Sequence, residues 1–133
     1  MKKSVKESIG YLTARSSYAL ASQVYRNFQK QGIDLHHSQF VMMRHLYEND
    51  GMTQQELADS LFKDKAAIKR TVENLMLRGY ISRVKEGKSF KIFLTASAKE
   101  IKETVQRIAD STIRQSLKGV DAGEYEICLE VLK

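Results

Sequence analysis

The chain has 133 residues, with 22 Lys+Arg against 16 Asp+Glu, one Cys, no Trp and no Pro. This length holds one domain or slightly more, which argues against a two-domain enzyme, and 42% hydrophobic with 29% charged residues argues against global disorder. A single cysteine excludes an internal disulfide, in keeping with a reducing compartment, and no apolar run approaches the ~20 residues of a membrane span. The segment Met1-Lys2-Lys3-Ser4-Val5-Lys6-Glu7 is basic but leads into no apolar stretch with a small-residue cleavage site. No secretory leader and a cytoplasmic location are therefore expected.

In chain order, residues 4–30 read as a long helix, permitted by the absence of proline. Tyr11, Ala14, Tyr18, Ala21, Tyr25 and Phe28 recur at spacings of 3 and 4 and form a stripe for packing against other helices. Gly32 stops it. A second helix over about 37–49 carries Phe40, Met43 and Tyr47 on one side and ends at the turn-forming Asn49-Asp50-Gly51. Thr53-Gln54-Gln55-Glu56 matches a capping box and starts a short helix to about Leu61, with Leu57, Ala58 and Leu61 inward. After Phe62-Lys63, Asp64 caps a further helix lasting to Gly79, whose apolar set is Ile68, Val72, Leu75 and Met76.

Beyond Gly79 the period changes to two. Tyr80–Lys85 and Lys88–Leu94 read as strands joined by a two-residue turn at Glu86-Gly87. Thr95 and Ser97 are both candidate caps for one last long helix with Ala98, Ile101, Val105, Ile108, Thr112 and Ser116 on one face. A closing helix opens at Asp121 and carries Tyr125, Cys128, Leu129 and Leu132 as its apolar face.

The charge is segregated. Residues 60–94 hold nine cations and three acids, a net +6, so the remaining 98 residues sum to zero. A basic quarter on a neutral frame suggests a polyanion-binding surface, with nucleic acid the first candidate; the plainer reading is a solvated basic face. A short capped helix, a tight turn, a longer helix with Lys65, Lys69 and Arg70 on its outer side and then a basic hairpin form the layout of a winged helix-turn-helix. The second helix of such a pair fits the major groove, the first braces it across the backbone, and hairpin cations reach neighbouring phosphates or the minor groove.

Gln55-Glu56-Leu57-Ala58, Asp64-Lys65-Ala66-Ala67-Ile68-Lys69-Arg70, Leu75, Arg78-Gly79-Tyr80-Ile81-Ser82-Arg83 and Leu94-Thr95 resemble the MarR family of bacterial transcription regulators. The resemblance spans nearly the whole chain in element order and is most specific from Lys65 to Arg83. It implies a mainly α fold: a winged helix-turn-helix lobe over 36–95 with a short β-hairpin wing, and dimerisation helices over 1–35 and 96–133. It further implies a homodimer reading a pseudo-palindrome in double-stranded DNA as a repressor, with no cofactor. The residues expected at DNA are Thr53, Gln54, Lys65, Ala66, Ala67, Lys69, Arg70, Arg83, Lys85 and Lys88, with Arg70 expected to read a base and Glu73 to steady it. The resemblance also implies regulation by small aromatic ligands in a crevice between the dimer helices and the DNA-reading lobe, for which Arg15, Tyr18, Phe40, Met43 and Tyr47 are the expected lining. In two places the chain departs from the family pattern. Its wing reads Lys85-Glu86-Gly87-Lys88-Ser89, with Lys88 where an arginine is common, and Phe62 stands in the turn where a glycine is common.

Other residues admit functional and structural readings. Cys128 reads as a buried structural thiol rather than a redox sensor, because it lies on an apolar helix face without an activating neighbour. His36, His37 and His45 lack structural-zinc spacing, and no metal site is expected. The tyrosine stripe reads as interface core before ligand crevice. Nothing in the chain groups as a nucleophile with its base or as a phosphate-cradling glycine loop, so no enzymatic activity is expected. The alternative class is a winged-helix module used only for protein–protein contact, which the cations of the 65–70 segment disfavour.

Overall fold

The computed structural model describes residues 4–133, and the start of the expected N-terminal dimerisation segment, residues 1–3, lies outside them. A short 3-10 turn, Val5–Glu7, precedes α1 (Ile9–Lys30). Ser8 separates the two and caps α1 by accepting from the Tyr11 N–H at 3.3 Å, so the helix expected over 4–30 is broken near its start. Then follow α2 (His37–Glu48), β1 (Met52–Thr53), α3 (Gln54–Leu61) and α4 (Lys65–Leu77). The hairpin β2 (Ile81–Glu86) and β3 (Ser89–Leu94) leads into α5 (Ala96–Glu100), α6 (Lys102–Ser116) and α7 (Ala122–Leu132).

The sheet has the order β1-β3-β2 and is antiparallel throughout. Strand β1 is too short to show a period of two, and only its pairing with β3 (Met52 with Ile92, Thr53 with Lys91) makes it a strand. The close approach is possible because Gly51 has φ +78 and a Cβ there would lie 2.8 Å from the Phe93 ring. Asp50 locks the corner, its carboxylate accepting from the Leu94 N–H at 2.8 Å and the Gly51 N–H at 3.1 Å. In β2–β3, Glu86 pairs with Ser89, so the turn residues are Gly87-Lys88 and not Glu86-Gly87. Gly87, at φ +59, takes the left-handed conformation that this register places there.

One core joins the lobe to the long helices. Leu57, Ile68, Val72, Leu75, Ile92 and Val105 are buried in it together with Phe28, Met42 and Met43. Met76, expected inside, is exposed, because the inner face of α4 runs through Ile68, Val72 and Leu75. The last long helix is also divided. Thr95 caps α5 through the Ala98 N–H, and the chain restarts at Ile101 as α6, with Ser97 inside α5 rather than capping it. Thr95 further donates its hydroxyl to the Gly79 carbonyl at 2.6 Å, tying the end of the wing to the end of α4.

Helix α1 packs on α6 through its C-terminal half, where Val24 and Phe28 are buried. Its N-terminal half stands clear, so Tyr11 is exposed and Tyr18 is 76% exposed. The stripe expected to be interface core is buried within this chain only at its end. Helix α7 buries no residue: Ile127 is 65% and Val131 75% exposed, and Cys128 is exposed. The thiol read as buried is thus at the surface of the single chain, because α7 buries no residue against the rest of it. Among the described residues, no helix is long and apolar enough to cross a membrane.

Candidate nucleic-acid interface

Two capped helices meet at the turn. Thr53 accepts from the Glu56 N–H at 3.0 Å and starts α3, while Asp64 accepts from the Ala67 N–H at 2.8 Å and starts α4. At Thr53 only this half of the expected capping box is formed. Between them Phe62 occupies the left-handed region (φ 53, ψ 42) and lets the chain reverse, its N–H reaching the Ala58 carbonyl. Both helix N-termini present free N–H groups, the polarity that suits phosphate oxygens.

The wing is brought to these N-termini by the sheet. Because β1 ends at Thr53, immediately before α3, its pairing with β3 sets the hairpin tip beside the start of α3. The result is a cleft of about 380 Å³ lined by Thr53, Gln54, Gln55, Lys65, Ile68, Lys88, Ser89 and Phe90. Four of the residues expected at DNA, Thr53, Gln54, Lys65 and Lys88, are thereby brought together. Ala66, Lys69 and Arg70 are exposed on α4, and Lys85 is exposed on β2 opposite Phe90. Ala67 is half-buried and faces the groove behind α4. Arg83 lies with its guanidinium carbon 4.8 Å from the centre of the Phe90 ring, a cation–π contact that holds it against the wing. Sequence reasoning missed Gln55, Ser89 and Phe90 as cleft lining; the alternation of Phe90 with Lys91 gave a signal for Phe90, but the face it would take depended on the β1 pairing.

Of the nine cations in 60–94, two are neutralised locally: Arg78 by Asp34 at 3.2 Å and Lys91 by Glu86 at 2.9 Å. Among the described residues, Lys63, Lys65, Lys69, Arg70, Lys85 and Lys88 form no ion pair, and Arg70 is not held by Glu73 as expected. The positive charge at α4 and the wing tip is therefore available to a partner.

The residues expected to line a ligand crevice are not gathered in one place. Met43 is fully buried in the core, and Phe40 is buried edge-on against Phe28 with ring centres 5.1 Å apart. Tyr47 donates its hydroxyl to the Ala98 carbonyl at 2.6 Å, and the Lys102 ammonium lies 5.6 Å from its ring centre. Burial, reinforced by Tyr80, pushes the Tyr47 phenol up to about 12. Tyr18 lines a shallow groove between α1 and the end of α6. Arg15 is exposed on α1. A different concavity lies behind α4: a groove of about 500 Å³ whose lining includes Ser17, His37, Val41, Met42, Lys63, Ala67, Arg70 and Asn74. His37 also lines a 200 Å³ crevice that includes Phe40. Burial, and secondarily the Lys63 charge, lowers its pKa. The other histidines are engaged separately, His36 stacked on Tyr25 with centres 4.6 Å apart and His45 with Nδ1 2.9 Å from the Val41 carbonyl. Among the described residues no three His, Cys, Asp or Glu side chains are grouped as they would be around a metal ion.

This arrangement of helices, wing and cleft has close counterparts. A MarR family model matches residues 33–89, the segment from the end of α1 to the wing tip. An uncharacterised HTH-type transcriptional regulator of Bacillus subtilis, YybA, is 25% identical over 103 residues, which is 75% of this chain and 69% of that protein. The solved structure of Bordetella bronchiseptica BpsR, described with the regulation of its DNA binding by 6-hydroxynicotinic acid, superposes with a TM-score of 0.86 at 16% identity over 99% of this chain and 95% of that one. The S. aureus MepR–DNA complex superposes with a TM-score of 0.82 at 22% identity over 94% and 93%. Over residues 33–89 the chain is thus similar to the MarR family of transcription regulators, and as a whole it has the winged helix-turn-helix fold of these solved structures.

Proposed function

We propose that the protein is a homodimeric repressor that reads a pseudo-palindromic operator in double-stranded DNA through α4, braced by the start of α3 and by the wing, and that a small aromatic ligand releases it. One observation carries the reading: the cleft between the start of α3, the start of α4 and the wing tip is lined by Thr53, Gln54, Lys65 and Lys88, with unpaired Lys69 and Arg70 exposed on the same helix. Small Ala66 at the outer face of α4 permits close approach of the backbone, and Arg70 supplies the planar fork that meets guanine O6 and N7. Ala67, Arg83 and Lys85 support this face from its flanks.

The dimer is supported by what each subunit leaves uncovered. The N-terminal half of α1 and all of α7 present apolar side chains, and residues 1–35 with 96–133 form the proposed dimerisation segments around the 36–95 lobe. The aromatic effector is supported by the groove behind α4, which combines apolar Val41 and Met42 with cationic Lys63 and Arg70, a lining suited to an aromatic acid. Of the residues expected for a ligand, Phe40 and Tyr18 remain beside concavities, Arg15 is exposed on α1, and Met43 and Tyr47 act from the supporting core. The 6-hydroxynicotinic acid response belongs to BpsR and encourages a search among aromatic acids here.

Anisotropy titrations with a site selected from random duplex pools, together with sedimentation, test the proposal. A species of about twice 15.2 kDa that prefers the selected site supports it. A strict monomer at micromolar concentration, or equal affinity for all duplexes, refutes it.

A further inference from the structure

Gln54 poses a problem of hydrogen bonding. Among the described residues, its side-chain carbonyl Oε1 is the one buried side-chain nitrogen or oxygen without a hydrogen-bond partner. Gln54 is the first residue of α3 and lines the cleft that Lys65 and Lys88 also line. A buried acceptor left unmade destabilises the fold, so such atoms in native proteins call for an explanation. A phosphate cannot supply the missing partner. Its oxygens are acceptors, as Oε1 is, and the two repel. The group that satisfies Oε1 must carry N–H or O–H.

The cleft lining offers the hydroxyls of Thr53 and Ser89, the Gln55 amide and the ammonium ions of Lys65 and Lys88; the Gln55 amide is already given to Asp59 at 2.9 Å, and of the others only an ammonium has protons enough for Oε1 and a phosphate together. Lys65 is the first residue of α4, whose start is fixed by the Asp64 cap. Lys88 is one of two residues in the hairpin turn, at the end of the wing farthest from the core, and forms no ion pair. Lys88 therefore moves more readily. An ammonium has three protons in a tetrahedral array and can serve two acceptors at once. We infer that Gln54 is a positioning residue that latches the wing. When a DNA phosphate enters the cleft, the Lys88 ammonium bridges the phosphate and Gln54 Oε1, while Lys65, the Gln54 carboxamide N–H and the free N–H groups at the start of α3 complete the phosphate's shell. The latch rests on the DNA-binding reading and adds to it that the wing and the helix pair act as one clamp. Because Oε1 is shut off from the surface in the free protein, the Gln54 carboxamide turns toward the cleft as Lys88 closes on it, and the binding event satisfies the acceptor.

The test is a double-mutant cycle on random-sequence 30-base-pair duplex, because a phosphate contact is independent of sequence. Gln54→Met keeps length and helix propensity but removes the acceptor. We expect its free-state Tm to be unchanged or raised, because an apolar group of similar shape replaces an unmet polar one. Its DNA affinity should fall about tenfold, the order expected for a lost hydrogen bond to a charged group. Lys88→Met should fall similarly, and the double variant should be no weaker than Lys88→Met alone. Lys85→Met serves as the control, and its loss should multiply with that of Gln54→Met. If the Gln54 and Lys88 losses multiply to within about twofold, the two residues act independently and the latch is refuted. A Tm of Gln54→Met several degrees below wild type also refutes it, because the oxygen would then already be satisfied in the free protein. Failure of the wild type to bind the duplex at low salt removes the DNA-binding reading itself, whereas wild-type binding with an additive cycle removes only the latch.

Discussion

The salt dependence of DNA binding follows from which cations the fold leaves free. Residues 60–94 hold nine cations, but Arg78 is bound to Asp34 and Lys91 to Glu86, Arg83 is stacked on Phe90, and Lys63 lies in the turn ahead of α4, outside the residues proposed at DNA. With Arg70 assigned to a base, four phosphate-directed lysines remain per subunit: Lys65, Lys69, Lys85 and Lys88. The proposed two-fold dimer would then neutralise about eight phosphates, and log K against log salt should fall with a slope near −7. Between 50 and 200 mM salt this corresponds to a loss of roughly 10⁴ in affinity. Fluorescence anisotropy on a labelled duplex across that range measures the slope directly. Lys88→Ala removes one contact from each subunit and should flatten it by about two, on selected and random DNA alike. Arg78→Ala and Lys91→Ala should leave it unchanged, because these charges are already neutralised. A slope shallower than about −4, or one that Lys91→Ala flattens as much as Lys88→Ala does, would refute the assignment of the free cations.

Three further outcomes are expected. Arg70→Ala should cost about 1–3 kcal/mol on a selected operator and much less on random duplex, and equal losses in the two titrations would reassign it to phosphate. Phe62→Gly should raise Tm, since the side chain is 93% exposed and its backbone has φ 53; the relief of about 1–2 kcal/mol exceeds the extra unfolded-state freedom of glycine by a few tenths to about 1 kcal/mol, and a lowered Tm in a thermal melt would show that the side chain packs usefully. Tyr47 should ionise only near 12, so an absorbance titration should show a late tyrosinate phase that Tyr47→Phe abolishes. Because its folded pKa lies above the unfolded 10.0, the stabilisation it gives is fully present below pH 10 and is lost as pH rises from there through 12; Tyr47→Phe should therefore be less alkali-sensitive in a pH series of melts.

The buried faces of α3 and α4 were legible as spacing, since Leu57, Ile68, Val72 and Leu75 follow the helical repeat, and the caps at Thr53 and Asp64 are local chemistry that any chain with those residues tends to form. The segregation of charge into 60–94 is likewise a property of the one-dimensional order. The breaks at Ser8 and Ile101 were not legible, because Ile101 lies on the apolar spacing of one continuous helix and Ser8 stands ahead of the stripe that begins at Tyr11, where no spacing marks a start. The cleft was legible only in part. Lys65 and Lys88 are 23 positions apart, and nothing local says that they share a concavity. Their meeting depends on Met52 and Thr53 pairing with Ile92 and Lys91, a contact across some forty residues made by a two-residue strand that has no period to read.

The same distinction holds for the charges. Counting gives nine cations, but only the fold decides that Arg78 finds Asp34, forty-four positions earlier, and that Arg70 does not find Glu73 on its own helix. It also decides the exposure of the two terminal helices. An apolar stripe states that a face seeks cover, and it is equally well written whether the cover is the same chain or another. For α1 the tertiary structure divides the answer, with Val24 and Phe28 inside the chain's core and Tyr18 outside it; α7 buries no residue in the single chain, and Tyr125 and Leu129 are half-covered. The physical reason is common to all these cases. Helical propensity, capping and turn chemistry act over a few residues and can be read in order along the chain, whereas burial, ion pairing and cleft formation are set by distances in space between residues far apart in sequence.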